Sequence, residues 1–437
     1  MIRLSWATGT CLRGCPFSIL GSNKSQLGAL EDETVSIGRP FSRAPREKSS
    51  KLYEDRVVNA DKLPVEKPGY GAFGSLAAFV VCLIAAGVFC IVSGPEHLLV
   101  GIGLIAFGVL PAATIVLQGI SLGSQIAEGK VSLVPKVAPE AFGPEADRFW
   151  QIQGKDLTRA EFDDASAKRE AELAAVREWF ELVRPSFEAV DMRASDGCRL
   201  VGHELAAAAP SHSWLVYAPG FGGTWKSGLA IARRFAQAGY NLLLLDMRAQ
   251  GESGGALTGY GHIERRDLVE WCRLVVERDA DARIALLGES MGASAAVEAA
   301  AERDLPSQVK AVVCDSAYAD LWNEAIYMLS RGVNGKSISP HPVLDIARVV
   351  FRGRKSGFDI ADANAEQAAK GAKVPLLIVH GSDDFMVPSY SARRLAEAAA
   401  SDHELIKVDG AGHCCTSLVN PETYFSAVLG FAQKHLA

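Results

Sequence analysis

A basic excess, a CxxC pair and a dinucleotide-binding fingerprint are all missing from this sequence, and each absence removes a class of function. With 45 Lys and Arg against 51 Asp and Glu, the formal net charge is −6 at pH 7. Holding a phosphate backbone needs a cationic surplus, so nucleic acid is not an expected partner. Nine cysteines scattered over 437 residues are too sparse for a disulfide framework and fit a reducing compartment. Cys11 and Cys15 stand close, and Cys414 adjoins Cys415, but neither pair has the additional His or Cys ligands of a zinc site. No metal and no cofactor are expected. Nor do the residues from Met1 to Leu20 read as a secretory signal, because Arg3, Gly9, Arg13, Gly14 and Pro16 interrupt them.

Charge is likewise missing from two internal runs, Ala72 to Val92 and Leu98 to Ser124. At ~1.5 Å per residue each is long enough to cross a hydrocarbon core of ~30 Å. The break between them, Ser93-Gly94-Pro95-Glu96-His97, holds helix-ending residues and the only charge. Residues 70–124 therefore read as a transmembrane helical hairpin, since two helices apolar on every face have nothing else here to bury them. Small residues (Gly74, Ala77, Ala78, Ala85, Ala86 and Gly87 in the first run, Gly101, Gly103, Ala106 and Gly108 in the second) are expected to let the two backbones approach. Lys51, Arg56, Lys62 and Lys67 precede the hairpin and Lys130 and Lys136 follow it, while its turn has no Lys or Arg. Both ends are therefore expected in the cytoplasm.

Residues 1–69 lack sustained periodicity and read as a flexible tail. A helix is expected from Thr158, in capping-box spacing with Glu161, to Val183, ended by Pro185; within the linker 125–185 it reads as a solvated connector. From residue 186 onward, short apolar strands alternate with helical stretches, the mark of a βαβ architecture. Phe187 to Arg193 and Leu200 to Leu205 form an opening hairpin around Ser195-Asp196-Gly197. Further strands are expected at Trp214–Ala218, Asn241–Asp246, Ile284–Gly288, Val309–Asp315, Pro375–His380 and His403–Val408.

The chemistry centres on Gly288-Glu289-Ser290-Met291-Gly292, a GxSxG motif between an apolar strand and an Ala-rich stretch. Glycines two residues either side of Ser290 permit a tight strand-to-helix turn that lifts the hydroxyl above the sheet, with the amide of Met291 as an oxyanion donor. A serine hydroxyl needs a base. Gly410-Ala411-Gly412-His413, just after the last strand, supplies His413; His380, ending the preceding strand, is read as structural. The orienting carboxylate should follow a strand between these two, where Asp383 and Asp384 compete. The recurrent HGxxDxxVP pattern over His380–Pro388 selects Asp384 and leaves Asp383 as a supporting or loop-capping residue. In the loop Tyr217–Thr224, the amide of Phe221 is the candidate second oxyanion donor.

These motifs in this order resemble the α/β-hydrolase superfamily over well over half of the chain. Asp246-Met247-Arg248-Ala249-Gln250-Gly251-Glu252-Ser253 is similar to its DxRGxGxS stretch, with Ala249 replacing a usual Gly, and Ala218-Pro219 stand where many members carry His. Together with Asp315-Ser316-Ala317-Tyr318, the pattern is similar to membrane-anchored BEM46-like and serine aminopeptidase-like hydrolases. The resemblance implies a mostly parallel sheet of about eight strands flanked by helices and a helical lid over 317–371. There Trp322, Tyr327, Met328, Phe351, Arg352, Arg354 and Lys355 read as exposed, with plain helix core as the alternative for Met328 and its neighbours. The expected activity is hydrolysis of a small-molecule or lipid carboxylic ester, lysophospholipid or thioester included. A peptidase or amidase of the same fold and a catalytically silent membrane adaptor are the competing readings.

Overall fold

The computed structural model describes residue 69 and residues 71–127, 159–330, 340–354, 358–384 and 386–437. The expected tail over 1–69, Thr158 and the Glu161 side chain of the expected cap, Lys355 and the linker residues 128–158 lie outside them, Gly69 excepted.

Both uncharged runs are single helices: α1, Gly71–Ser93, and α2, Leu98–Ala127, joined by a 3-10 turn at Pro95–His97. Each is long and apolar enough to cross a membrane. They pack through glycine. A Cβ on Gly87 would lie 2.7 Å from the carbonyl oxygen of Gly101, and one on Gly101 would lie 2.6 Å from that of Gly87. Gly108 abuts Leu83, whereas Gly74 and Gly103 face open space and contribute nothing to this contact.

Helix α3, Arg159–Val183, ends in a 3-10 turn containing Pro185. It is more than a solvated connector. Leu173, Val176 and Phe180 are buried in a core layer with Trp225 and Phe235, and Glu172 pairs with Arg233 and Arg234, each at 2.9 Å.

The remaining chain builds one eight-stranded sheet in the order β1-β2-β4-β3-β5-β6-β7-β8. The strands are β1 (Glu188–Arg193), β2 (Arg199–Leu205), β3 (Ser213–Ala218), β4 (Asn241–Asp246), β5 (Arg283–Glu289), β6 (Val309–Asp315), β7 (Leu376–Gly381) and β8 (His403–Val408). β2 pairs antiparallel with β1 and β4, and all other pairs are parallel. Helices α4 (Leu229–Gln237), α5 (Glu264–Arg278), α6 (Met291–Ala300), α10 (Tyr390–Ala398) and α12 (Pro421–Leu436) flank it, with the short α11 (Thr416–Val419) preceding α12. Alternation along the strands divides the core. Val216, Leu243, Leu286 and Val312 face a layer shared with α5 and α6, while Leu215, Leu244, Leu287 and Val313 face one shared with α3, α4 and α12.

Between β6 and β7 lie α7 (Leu321–Ser330), α8 (Val343–Gly353) and the short α9 (Ala365–Ala369). Trp322, Tyr327, Met328 and Phe351, read from the sequence as exposed, are buried in core clusters. Composition alone could not separate an apolar residue on a lid surface from one under it. Arg352, by contrast, has two thirds of its side chain in solvent, at 66% exposure.

Candidate active site

Ser290 sits where β5 turns into α6, with φ 53° and ψ −115°. An L-residue adopts this backbone only under constraint, and the flanking glycines supply it. A Cβ on Gly288 would lie 2.2 Å from the carbonyl oxygen of Gly292, and one on Gly292 would lie 2.2 Å from that of Ala218. The Ser290 amide donates to the carbonyl of Asp315 at 2.8 Å, tying the elbow to the end of β6.

The loop after β8 carries His413 back across the sheet edge, where Nε2 lies 2.8 Å from Ser290 Oγ and Nδ1 lies 2.7 Å from Asp384 Oδ2. Asp384 is buried and follows β7. Its Oδ1 accepts the amides of Met386 at 3.0 Å and Val387 at 2.9 Å. Burial by itself would raise this carboxyl, but the charge of His413 and hydrogen bonds from His380 and His413 hold it well below the ordinary carboxylate range. Asp383 bonds within the loop, its amide donating to Ala411 O at 3.0 Å and its carboxylate accepting from Ser382 Oγ at 2.9 Å. His380 is fully buried. Its Nε2 donates to Val387 O at 2.9 Å and lies 3.3 Å from Asp384 Oδ2, so it braces the carboxylate from beneath. Although burial opposes it, this contact raises the His380 pKa.

Gly220 brings the loop after β3 against Ser290, since a Cβ there would stand 3.1 Å from Ser290 Cβ. Next to it, the ring of Phe221 stacks on Tyr260 with centroids 5.4 Å apart, and Gly222 N donates to Gln250 Oε1 at 2.6 Å. Met291 is the first residue of α6, where an amide has no intrahelical acceptor. Gly220, the residue before Phe221, and Met291 thus adjoin Ser290 from two chain segments.

The Asp246–Ser253 stretch is scaffolding for that loop. The Asp246 carboxylate accepts the amides of Trp225 at 2.8 Å and Glu252 at 2.7 Å, and Ser253 Oγ donates to Asp246 O at 2.7 Å. Arg248 is buried between Asp267 and Asp196, each contact at 2.6 Å, yet burial still pushes the Asp267 carboxyl up to about 7. Ala249 takes φ 60°, a left-handed backbone that costs an Ala roughly 1–2 kcal/mol more than the usual Gly. The fold also brings His203, Asp246 and Glu252 within 4.8 Å of one another, a juxtaposition invisible in the sequence. Within it both Asp246 oxygens accept backbone amides, and His203 Nε2 lies 3.5 Å from Glu252 Oε1.

Sequence reasoning missed a buried polar layer below Ser290. Glu289, the residue before Ser290, accepts a hydrogen bond from Tyr217 Oη. Burial and the neighbouring Asp315 push its carboxyl up to about 8. Asp315 accepts from Ser316 Oγ at 2.9 Å and from Thr416 Oγ1; Ser316 Oγ in turn accepts the Cys414 amide at 3.2 Å. Asp315 therefore holds Ser290 through its backbone and the His413 loop through its side chain. An acidic residue closing an apolar run, as in Leu-Leu-Gly-Glu289 and Val-Val-Cys-Asp315, was the available signal.

Parts of the chain are similar to known proteins. The family model described as serine aminopeptidase, S33, matches residues 209–346. The protein YqkD of Bacillus subtilis (strain 168) is 26% identical over 45% of this chain; the match spans 63% of that relative, less than two thirds of its length. Rv2307c of Mycobacterium tuberculosis is 28% identical over 57% of this chain and 80% of its own. Among solved structures, the Pyrococcus furiosus esterase Pf2001 aligns over 57% of this chain and 93% of its own, at 23% identity and a TM-score of 0.46. The strand order and the Ser290 elbow are those of the α/β-hydrolase fold, and the match to the serine aminopeptidase model falls within it.

Proposed function

We propose that the chain is a membrane-anchored serine hydrolase that cleaves carboxylic esters. The carrying observation is the continuous hydrogen-bonded chain from Ser290 Oγ through both ring nitrogens of His413 to the buried carboxylate of Asp384. In this reading His413 takes the Ser290 proton as Oγ attacks the acyl carbon, and the amides of Phe221 and Met291 receive the negative charge that develops on the carbonyl oxygen. Collapse of the tetrahedral intermediate breaks the ester C–O bond, and the leaving alcohol departs with the proton from His413. Water then gives a proton to His413, attacks the acyl-enzyme and releases the carboxylic acid as the proton returns to Ser290. Asp384 stays ionised throughout, fixing the imidazole tautomer and balancing its charge. The apolar hairpin would tether the hydrolase domain to the bilayer on the cytoplasmic side, in line with the flanking Lys and Arg.

The test is covalent labelling of detergent-solubilised protein by a fluorophosphonate probe, read by intact mass, with Ser290→Ala alongside. One adduct on the parent and none on the variant is the expected outcome. A folded parent that takes no label would favour a silent adaptor. A labelled enzyme that cleaves aminoacyl amides but no ester would move the assignment to a peptidase.

A further inference from the structure

The lid helix is built onto the membrane hairpin. Gly119 and Gly123, one turn apart on α2, are buried under α8: a Cβ on Gly119 would stand 2.5 Å from Ile346 Cβ, and one on Gly123 would stand 2.4 Å from Ala347 O. Arg354 Nη2 donates to Ser124 Oγ at 2.7 Å, and α8 also touches α1. Height along α2 follows from helix geometry. Starting from Leu98, Gly119 and Gly123 lie ~32–38 Å along the axis, just past a hydrocarbon layer of ~30 Å. Apolar exposure on α2 reaches the same level: Leu99, Leu110 and Leu117 are each exposed by 66% or more, and among the described side chains the last large exposed apolar residue is Ile120. On its outward side α8 presents Val349, 54% exposed, and Arg352, which lies 3.9 Å from the Asp359 carboxylate.

The geometry points to α8 lying in the headgroup layer of the bilayer, with Val349 entering the acyl boundary and Arg352 facing lipid phosphate. This rests on the membrane-anchored reading of the hairpin. The lid segment leaves the sheet at the end of β6, between β5, which ends at Ser290, and β7, which leads to Asp384. The catalytic edge of the sheet is therefore turned toward the leaflet surface. An amphiphilic acyl ester taken from that leaflet is the substrate class this arrangement serves.

The experiment places the photoreactive amino acid p-benzoylphenylalanine at Val349, Leu117 or Leu405 in turn, in full-length protein reconstituted into phosphatidylcholine and phosphatidylglycerol vesicles. Leu117 reports the hairpin; Leu405 is an exposed residue of β8, at the far edge of the sheet. After irradiation, a mass gain of one phospholipid at positions 117 and 349 but not at 405 is expected. Adducts at 117 without any at 349 would overturn the interfacial lid and leave the anchored hydrolase intact. Equal adducts at 349 and 405 would also overturn it, as non-specific contact. Failure at 117 would remove the membrane reading itself, and the lid proposal with it.

Discussion

The buried Glu289 carboxyl gives the most direct quantitative test of how the site is built. Its neighbours are the Tyr217 hydroxyl and Asp315, and burial pushes it from an ordinary 4.5 to about 8. Between those values the native state keeps a proton that the unfolded chain has released, so folding stability must fall as pH rises through this window. The ceiling is ~1.4 kcal/mol per pH unit, or about 2–3 kcal/mol between pH 6 and 8. Asp315 shares the titration, so the pair and not Glu289 alone sets the observed midpoint. For a domain of this size that ceiling amounts to a fall in melting temperature of roughly 5–10 °C. Glu289→Gln keeps the shape and a hydrogen-bond acceptor for Tyr217 but cannot ionise. Melting curves of detergent-solubilised parent and variant, followed by circular dichroism at one scan rate at pH 6 and pH 8.5, should show a steep pH dependence in the parent that is largely lost in the variant. Parallel losses in both proteins would refute the assignment of the proton to Glu289.

Asp384→Asn should fold, because Oδ1 can still accept the amides of Met386 and Val387. Its kcat on a soluble ester should nevertheless fall by several orders of magnitude, toward the ~10⁴-fold seen when a triad aspartate loses its charge; a loss under tenfold would point to another carboxylate. Thr416→Val removes a hydroxyl from buried Asp315 and should cost about 1–3 kcal/mol of stability. Because the His413 loop is tethered there, kcat should drop with KM little changed, whereas a purely structural role would lower the melting temperature and leave kcat intact.

Local patterns determined much of this protein. Two charge-free runs specified α1 and α2, because length and uniform apolarity do not depend on distant partners. Alternation and glycine spacing located the eight strands to within a residue or so and marked the Ser290 elbow, since both follow from backbone geometry over a few neighbours. Tertiary structure alone decided the rest. The sheet order and the distances at which Ser290, Asp384 and His413 meet from three strand ends depend on contacts among residues far apart in the chain. So does the layer of Tyr217, Glu289, Asp315 and Thr416, whose members look unrelated in sequence yet share one desolvated space. The seat of α8 on Gly119 and Gly123 belongs to the same class: a glycine announces that a backbone can come close, and only the packed fold determines which one does.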